Sequence, residues 1–181
     1  MLLRKTDAPK VAAVYKDFIA SYPRPQELAE ADGAVLRNRI GRLGIVDRAR
    51  LLKLTASEIV ARYKGRTPLN FEDLIELPGV GAYTANAVLC FARWQAVPLL
   101  DTNVIRVFGR VFSIRSRKLR ARDDPELWAF AGMMVPRRRP ATYNRALLDL
   151  AGTICTAVRP KCQQCPLNRI CDYGRKRVGK P

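Results

Sequence analysis

The chain of 181 residues contains no histidine. Histidine is the usual general base near neutral pH, so its absence excludes Ser-His-Asp and Cys-His nucleophile systems and histidine-ligated zinc. Any catalysis by this protein must therefore use a carboxylate, a tyrosine, a lysine, a cysteine or a cofactor.

Long apolar runs are also missing. No segment approaches the roughly 20 apolar residues that a membrane span requires, and the N-terminus does not read as a signal peptide. We therefore expect an intracellular, cytoplasmic protein with no membrane partner.

Acidic residues are scarce. Asp plus Glu is 16 against 33 for Lys plus Arg, which gives a formal net charge of +17. A surface this basic attracts polyanions, and nucleic acid is the commonest of them. The alternative is an ordinary solvated surface.

The apolar residues recur at helical intervals. Hydrophobic residues make up 48% of the chain, which excludes a disordered protein. Residues 8–21, 48–63 and 141–154 show the spacing of one helical face, whereas no segment shows the alternation of a strand. The sequence predicts an all-α fold that ends in a mobile basic tail, residues 175–181.

Two short motifs between residues 77 and 106 carry the chemistry. Leu77-Pro78-Gly79-Val80-Gly81 predicts a tight turn that opens a helix, and the free N–H groups at such a helix start suit a phosphate. Leu100-Asp101-Thr102-Asn103-Val104 places one carboxylate at the start of the next helix. Aspartate is favoured at that position as a cap, so composition alone favours capping over catalysis by Asp101.

Four cysteines, Cys155, Cys162, Cys165 and Cys171, follow the spacing C-x6-C-x2-C-x5-C. Four thiols this close in an intracellular chain indicate a metal site and not disulfides. A single C-x2-C pair flanked by longer arms suits a [4Fe–4S] cluster, and zinc is the rival on spacing alone. The fifth cysteine, Cys90, lies in an apolar helical stripe and is interpreted as a core residue.

Together and in this order, the hairpin, the Asp101 segment and the cysteine spacing resemble the helix-hairpin-helix DNA glycosylases of the endonuclease III superfamily. The resemblance covers nearly the whole chain. It implies two helical lobes with a DNA-binding cleft between them: residues 1–95 as a helical barrel lobe ending in the helix-hairpin-helix, and residues 96–174 as a cluster lobe carrying Asp101. It also implies a [4Fe–4S] cluster on the four cysteines and allows a monovalent cation at the hairpin carbonyls.

The resemblance assigns the catalytic positions. The essential aspartate of the family falls on Asp101, which would act on a base flipped out of the duplex. Bifunctional members carry a Schiff-base lysine where this chain has Tyr83, so we expect a monofunctional enzyme that leaves an abasic site. Tyr83 is similar to the thymine-DNA mismatch branch, which removes T or U opposite G. The alternative for Tyr83 is a packing aromatic.

The resemblance also implies DNA contacts by a monomer bound to a mismatched or damaged duplex. Residues near the flipped base fall in Leu2-Leu3-Arg4-Lys5-Thr6, and Ile45 in Leu43-Gly44-Ile45 would wedge into the duplex. Asn144 and Asp149 match the mismatch branch, with helix-surface or capping roles as the alternative. The expected contacts are Leu77, Gly79, Val80, Gly81, Arg4, Lys5, Ile45, Asn103 and Asn144.

Two alternative functions remain open at this point. Adenine removal opposite G or 8-oxoG is disfavoured, because that branch carries paired glutamines near the N-terminus and an extra lesion-reading domain, for which the residues after Cys171 leave no room. The family also has a helix and a glutamate before the position of Met1. A non-catalytic DNA-binding module is therefore the second alternative.

Overall fold

The computed structural model describes Leu2, Thr6, residues 8–43 and residues 48–178. Within these ranges every regular element is helical, which confirms the predicted all-α fold class. None of the helices there has the length and apolar character needed to cross a membrane. The α-helices of the described ranges are α1 Ala8–Ser21, α2 Pro25–Glu30, α3 Gly33–Ile40, α4 Arg48–Tyr63, α5 Phe71–Glu76, α6 Ala82–Arg93, α7 Thr102–Val111, α8 Pro125–Met134, α9 Pro140–Asp149 and α10 Asp172–Val178.

The chain divides into two compact units, Met1–Ala85 and Asn86–Pro181, with the division inside α6. The lobe boundaries expected from the sequence, at residues 95 and 174, and the cleft between the lobes stay predictions.

The first unit is built around α4, which packs against α2 and α3. Phe18 of α1 and Leu36 of α3 are buried in its core together with Leu52 of α4. Helix α3 starts at a capping aspartate, Asp32, whose carboxylate accepts the N–H groups of residues 34 and 35. Helix α5 starts in the same way at Asn70, which accepts the N–H of Asp73 at 2.8 Å.

The second unit is built around α7. This helix contacts α9 and α10, and four of its apolar side chains are nearly inaccessible to solvent. Helix α8 begins at Pro125 behind the cap Asp124 and adds two buried side chains to the same core. The buried residues of α7 are Val104, Val107, Phe108 and Val111.

Residues 175–178 of the expected basic tail continue α10, and the mobility of the tail stays a prediction. Two contacts explain this helix. The Asp172 carboxylate accepts hydrogen bonds from Ser113 Oγ at 2.8 Å and from Arg175 at 2.7 Å. The Tyr173 ring packs against the core of the second unit. Ser113 is distant in sequence from α10, so the run of basic residues alone did not indicate its contact with Asp172.

Candidate functional site

The hairpin after α5 is a tight turn. The Val80 N–H donates to the Leu77 carbonyl oxygen at 3.0 Å, and Gly79 has a φ of +76°. Proline second and a positive-φ glycine third are the residues that a type II turn requires. Thr55 Oγ1 of α4 donates to the Pro78 carbonyl oxygen at 2.6 Å and fixes the turn on the first unit. The predicted turn before a helix is confirmed.

Gly81 follows this turn and lies exposed just before α6 begins at Ala82. A Cβ built on Gly81 meets nothing within 4 Å, so no packing inside the protein requires a glycine there. The Gly81 backbone is therefore open to solvent and accessible to a molecule outside the chain. The first N–H groups of α6 lie beside this space, and such groups bind anions.

Leu77 does not have the role expected for it. Its side chain is buried, with 3% exposed, so the predicted DNA contact is wrong for this side chain. The expected monovalent-cation site stays a prediction. The Leu77 and Pro78 carbonyls each already accept one hydrogen bond, and each oxygen has a second lone pair.

Tyr83 lies in the first turn of α6 and is half-buried. Its phenol can donate or accept a hydrogen bond but cannot form a Schiff base as an amine does.

Asp101 is the N-cap of α7. Its Oδ1 accepts the Asn103 N–H at 2.9 Å and the Val104 N–H at 2.8 Å, and its Oδ2 accepts Asn103 Nδ2 at 3.0 Å. The cap is thus present, as the residue type alone favoured. A carboxylate has about four acceptor sites, and these contacts use three. The half-buried Asp101 is therefore rigidly oriented and keeps acceptor capacity for a substrate.

Asn103 orients this carboxylate and is itself held in place. Its Oδ1 accepts a hydrogen bond from Arg106 Nη1 at 2.9 Å. Asn103 is exposed at the start of α7, and its expected contact with DNA stays a prediction.

The segment that leads to Asp101 is fixed by two buried asparagines. Asn86 Nδ2 donates to the Pro98 carbonyl at 2.9 Å. Asn144 Oδ1 accepts the Leu99 N–H at 3.2 Å, and its Nδ2 donates to the Val97 carbonyl at 3.0 Å. These bonds set the backbone direction immediately before the candidate catalytic residue.

The predicted DNA contact by Asn144 is wrong. The residue is 1% exposed, and its amide is occupied by backbone groups of the second unit. The surface and capping alternatives fail for the same reason. Asn86 was missed altogether, although a polar residue inside the apolar stripe of α6 is a signal for a buried hydrogen bond.

Three predicted DNA contacts, Arg4, Lys5 and Ile45, lie outside the described residues. The neighbouring described residues are tied together by the buried Arg48, which is 3% exposed. Arg48 donates to the Leu2 carbonyl at 2.8 Å and to Thr6 Oγ1 at 2.9 Å, and Thr6 Oγ1 donates to the Leu43 carbonyl at 3.0 Å. The sequence does not indicate this role, because Arg48 is one of several arginines in the same segment.

The four spaced cysteines line one cavity in the second unit. None of them forms a disulfide. Within the described ranges, no three metal-binding side chains converge closely enough to hold one metal ion. Four thiols that line one cavity match the four thiolate ligands that a [4Fe–4S] cluster requires.

The cavity also affects how readily its thiols lose a proton. Burial raises the pKa of the Cys165 thiol, and the charges of the other three cysteine sulfurs raise that pKa further. Four thiolates this close need a positively charged group between them, which a bound iron cluster supplies. Cys90 lies outside the cavity, fully buried and in contact with Asn144 Nδ2 at 3.3 Å, as expected for a core residue.

Helix α7 connects the candidate catalytic residue with the cysteine loop, because Asp101 caps its start and one of its arginines contacts Cys155. Arg106 of α7 donates through Nε to the Cys155 carbonyl at 2.9 Å and through Nη2 to the Ala151 carbonyl at 2.7 Å. The Ala151 carbonyl lies in a π-helical turn, Leu150–Ile154, which follows α9 and ends at Cys155.

Two protein families match the sequence. Residues 1–129 match the HhH-GPD superfamily base excision DNA repair protein family, and residues 155–171 match the iron–sulfur binding domain of endonuclease III. The second match covers the four cysteines and confirms the expected [4Fe–4S] cluster.

Individual relatives agree with these families. A thymine-DNA glycosylase of Aeropyrum pernix is 46% identical over 175 residues, which cover 95% of this chain and 78% of the relative. A thymine/uracil-DNA glycosylase of Pyrobaculum aerophilum is 44% identical over 181 residues, 98% of this chain and 79% of the relative. An adenine DNA glycosylase of Mycobacterium tuberculosis is less similar, at 38%.

A solved structure agrees with the fold. The structure of a thermostable thymine-DNA glycosylase superposes with a TM-score of 0.90 at 32% identity, over 97% of this chain and 81% of that one.

Proposed function

Because the chain belongs to the HhH-GPD superfamily of base excision DNA repair proteins, we propose that it is a monofunctional DNA glycosylase that removes T or U opposite G from duplex DNA. The observation that carries the proposal is Asp101, a half-buried carboxylate held by the backbone and by Asn103 with acceptor capacity left over. The relatives named thymine-DNA glycosylase and thymine/uracil-DNA glycosylase support the choice of base.

The reaction is hydrolysis of the N-glycosidic bond. The bond between the sugar carbon and the base nitrogen breaks, its electron pair leaves with the base, and positive charge develops on the sugar. The Asp101 carboxylate stabilises this charge and accepts a proton from the water whose oxygen bonds to the sugar carbon. The products are the free base and an abasic site.

Tyr83 determines the fate of the DNA strand after base release. A lysine at this position would attack the sugar and form a Schiff base, which leads to strand cleavage. The phenol of Tyr83 has no such reaction, so water is the nucleophile and the strand stays intact.

The hairpin and the cluster loop bind the phosphate backbone. Gly81 and the start of α6 offer N–H groups in open space. Arg159, Lys161 and Arg169 are exposed on the cysteine loop and contribute positive charge. Such contacts give affinity and salt dependence but do not select a base. The iron–sulfur cluster has a structural task here, since it holds this loop.

Substitutions of the two hairpin glycines should have different effects on DNA binding and on the stability of the fold. We expect Gly81→Ala to weaken binding of a G·T duplex about tenfold, because its Cβ occupies the space left for the phosphate, with little change in thermal stability. Gly79→Ala is the control. Its φ of +76° makes it destabilising by about 1 kcal/mol. Fluorescence anisotropy and thermal unfolding measure both, and unchanged DNA affinity in Gly81→Ala contradicts the hairpin contact.

A panel of duplexes tests the proposed reaction. G·T, G·U and A·8-oxoG duplexes are incubated with the holoprotein, and abasic sites are then cleaved with alkali. We expect cleavage of G·T and G·U strands only after alkali, and no protein–DNA adduct with borohydride.

Each other outcome contradicts one part of the proposal. Release of adenine from the 8-oxoG duplex identifies an adenine glycosylase, and strand cleavage without alkali or a borohydride adduct identifies a lyase. Tight binding of all duplexes without any base release identifies a non-catalytic module. Analytical ultracentrifugation of the protein with and without DNA tests the monomer.

A further inference from the structure

Arg110 of α7 holds the chain just after the first cluster cysteine. Its Nη1 donates to the Thr156 carbonyl at 2.7 Å and to the Cys155 carbonyl at 3.3 Å, and its Nη2 donates to the Ala157 carbonyl at 2.8 Å. One guanidinium therefore satisfies three successive carbonyls. These contacts span 45 to 47 residues of sequence, so they are tertiary contacts and not part of a local turn.

The same side chain lies against the cluster cavity, which Arg110 lines. Arg110 Nη1 is 3.4 Å from Cys155 Sγ, within hydrogen-bond range of a sulfur ligand. The guanidinium carbon is 4.8 Å from the centre of the Tyr173 ring, which limits its orientation. The Arg110 carbonyl oxygen is 3.3 Å from Cys171 Sγ, so this residue touches both the first and the last cysteine.

We propose that Arg110 is a positioning residue for the iron–sulfur cluster, which fixes the Cys155 arm and raises the reduction potential of the cluster through its N–H contact with the Cys155 sulfur. Hydrogen bonds to cluster sulfurs and net charge beside them set such potentials. A positive charge stabilises the reduced, more negative state of the cluster. Loss of Arg110 therefore favours oxidation.

The geometry requires arginine and not lysine. The guanidinium is planar and presents several N–H donors in a fixed fork, whereas an ammonium is a compact point charge. Lysine would keep the positive charge but could not reach three carbonyls and a sulfur at once. The two effects of Arg110, charge and positioning, can therefore be measured separately.

The first measurement is the cluster potential of the purified holoprotein without DNA, by equilibrium titration on an electrode. We expect Arg110→Gln to shift the ratio of oxidised to reduced cluster about tenfold toward the oxidised state at a fixed potential, equivalent to about 59 mV for one electron. The matched control is Arg177→Gln. Arg177 also lies over the Tyr173 ring, with its guanidinium carbon 5.2 Å from the ring centre, but it is exposed. In that variant we expect the ratio of oxidised to reduced cluster to change less than threefold.

The second measurement is the rate of iron loss to a chelator. We expect Arg110→Lys to keep the ratio of oxidised to reduced cluster within threefold of the wild-type ratio, because the positive charge stays. We expect the same variant to lose iron about tenfold faster, because the fork of N–H donors is gone. An Arg110→Gln protein that fails to assemble a cluster while Arg177→Gln assembles one supports the positioning role. Wild-type potential and wild-type iron retention in Arg110→Gln overturn the proposal.

Discussion

Asp101→Asn is expected to lower the single-turnover rate of base release from a G·T duplex by about 10³-fold, equivalent to ~4 kcal/mol of transition-state stabilisation. The neutral amide cannot stabilise the positive charge that develops on the sugar, nor accept a proton from water. Binding of the duplex should change little, since phosphate contacts supply most of the affinity.

The asparagine variant is informative because it keeps the cap. Asparagine and aspartate are about equally good at the N-cap position, so α7 retains its start. Asp101→Ala removes both functions and should lose about 1 kcal/mol of stability in addition to activity. Thermal unfolding of the three proteins separates the capping effect from the chemical one.

The chain supplies a matched control at another helix. Asp32 caps α3 by accepting the N–H groups of Ala34 at 2.8 Å and Val35 at 2.9 Å, the same arrangement as Asp101 on α7. Asp32→Asn should release base at the wild-type rate. If Asp101→Asn also does so, Asp101 is only a cap and the proposed mechanism fails.

The sequence predicted features whose chemistry is local. The hairpin followed from Pro78 and Gly79, because a proline and a positive-φ glycine in that order specify one kind of turn. The cap of α7 followed from a single aspartate, Asp101, before the apolar run of that helix. The four cysteines followed from their spacing, since all of them lie on one loop.

The sequence could not predict features that depend on distant partners. Asparagine is usually a surface residue, but Asn144 is buried and bonds to the backbone of Val97 and Leu99. These partners lie more than forty positions away in sequence. The contact of the Arg110 guanidinium with the cysteine loop could not be predicted for the same reason, since its partner Thr156 is also distant in sequence. Among many arginines, only the fold shows which ones face carbonyl oxygens instead of solvent.

The cluster makes the second large prediction. Cys162→Ala is expected to abolish stoichiometric iron and sulfide, to remove the visible absorbance, and to destabilise the second unit by at least about 4 kcal/mol. Cys162 lines the cavity together with Cys165 and Cys171, and α10 follows directly on the last of these cysteines. The cluster would join all four cysteines to one another, whereas the hydrogen bonds of Arg106 and Arg110 tie only the Cys155 arm of the loop to α7 through side chains.

Cys90→Ala is the control for this prediction, because Cys90 is fully buried but lies outside the cavity. It should keep full iron and lose only about 1 kcal/mol, since Asn144 Nδ2 retains the Val97 and Pro140 carbonyls as acceptors. Iron and sulfide assays, the visible spectrum and thermal unfolding distinguish the two variants. Full iron in Cys162→Ala would contradict ligation by this cysteine. Equal loss of iron in both variants would mean that core packing, and not the lost ligand, releases the cluster.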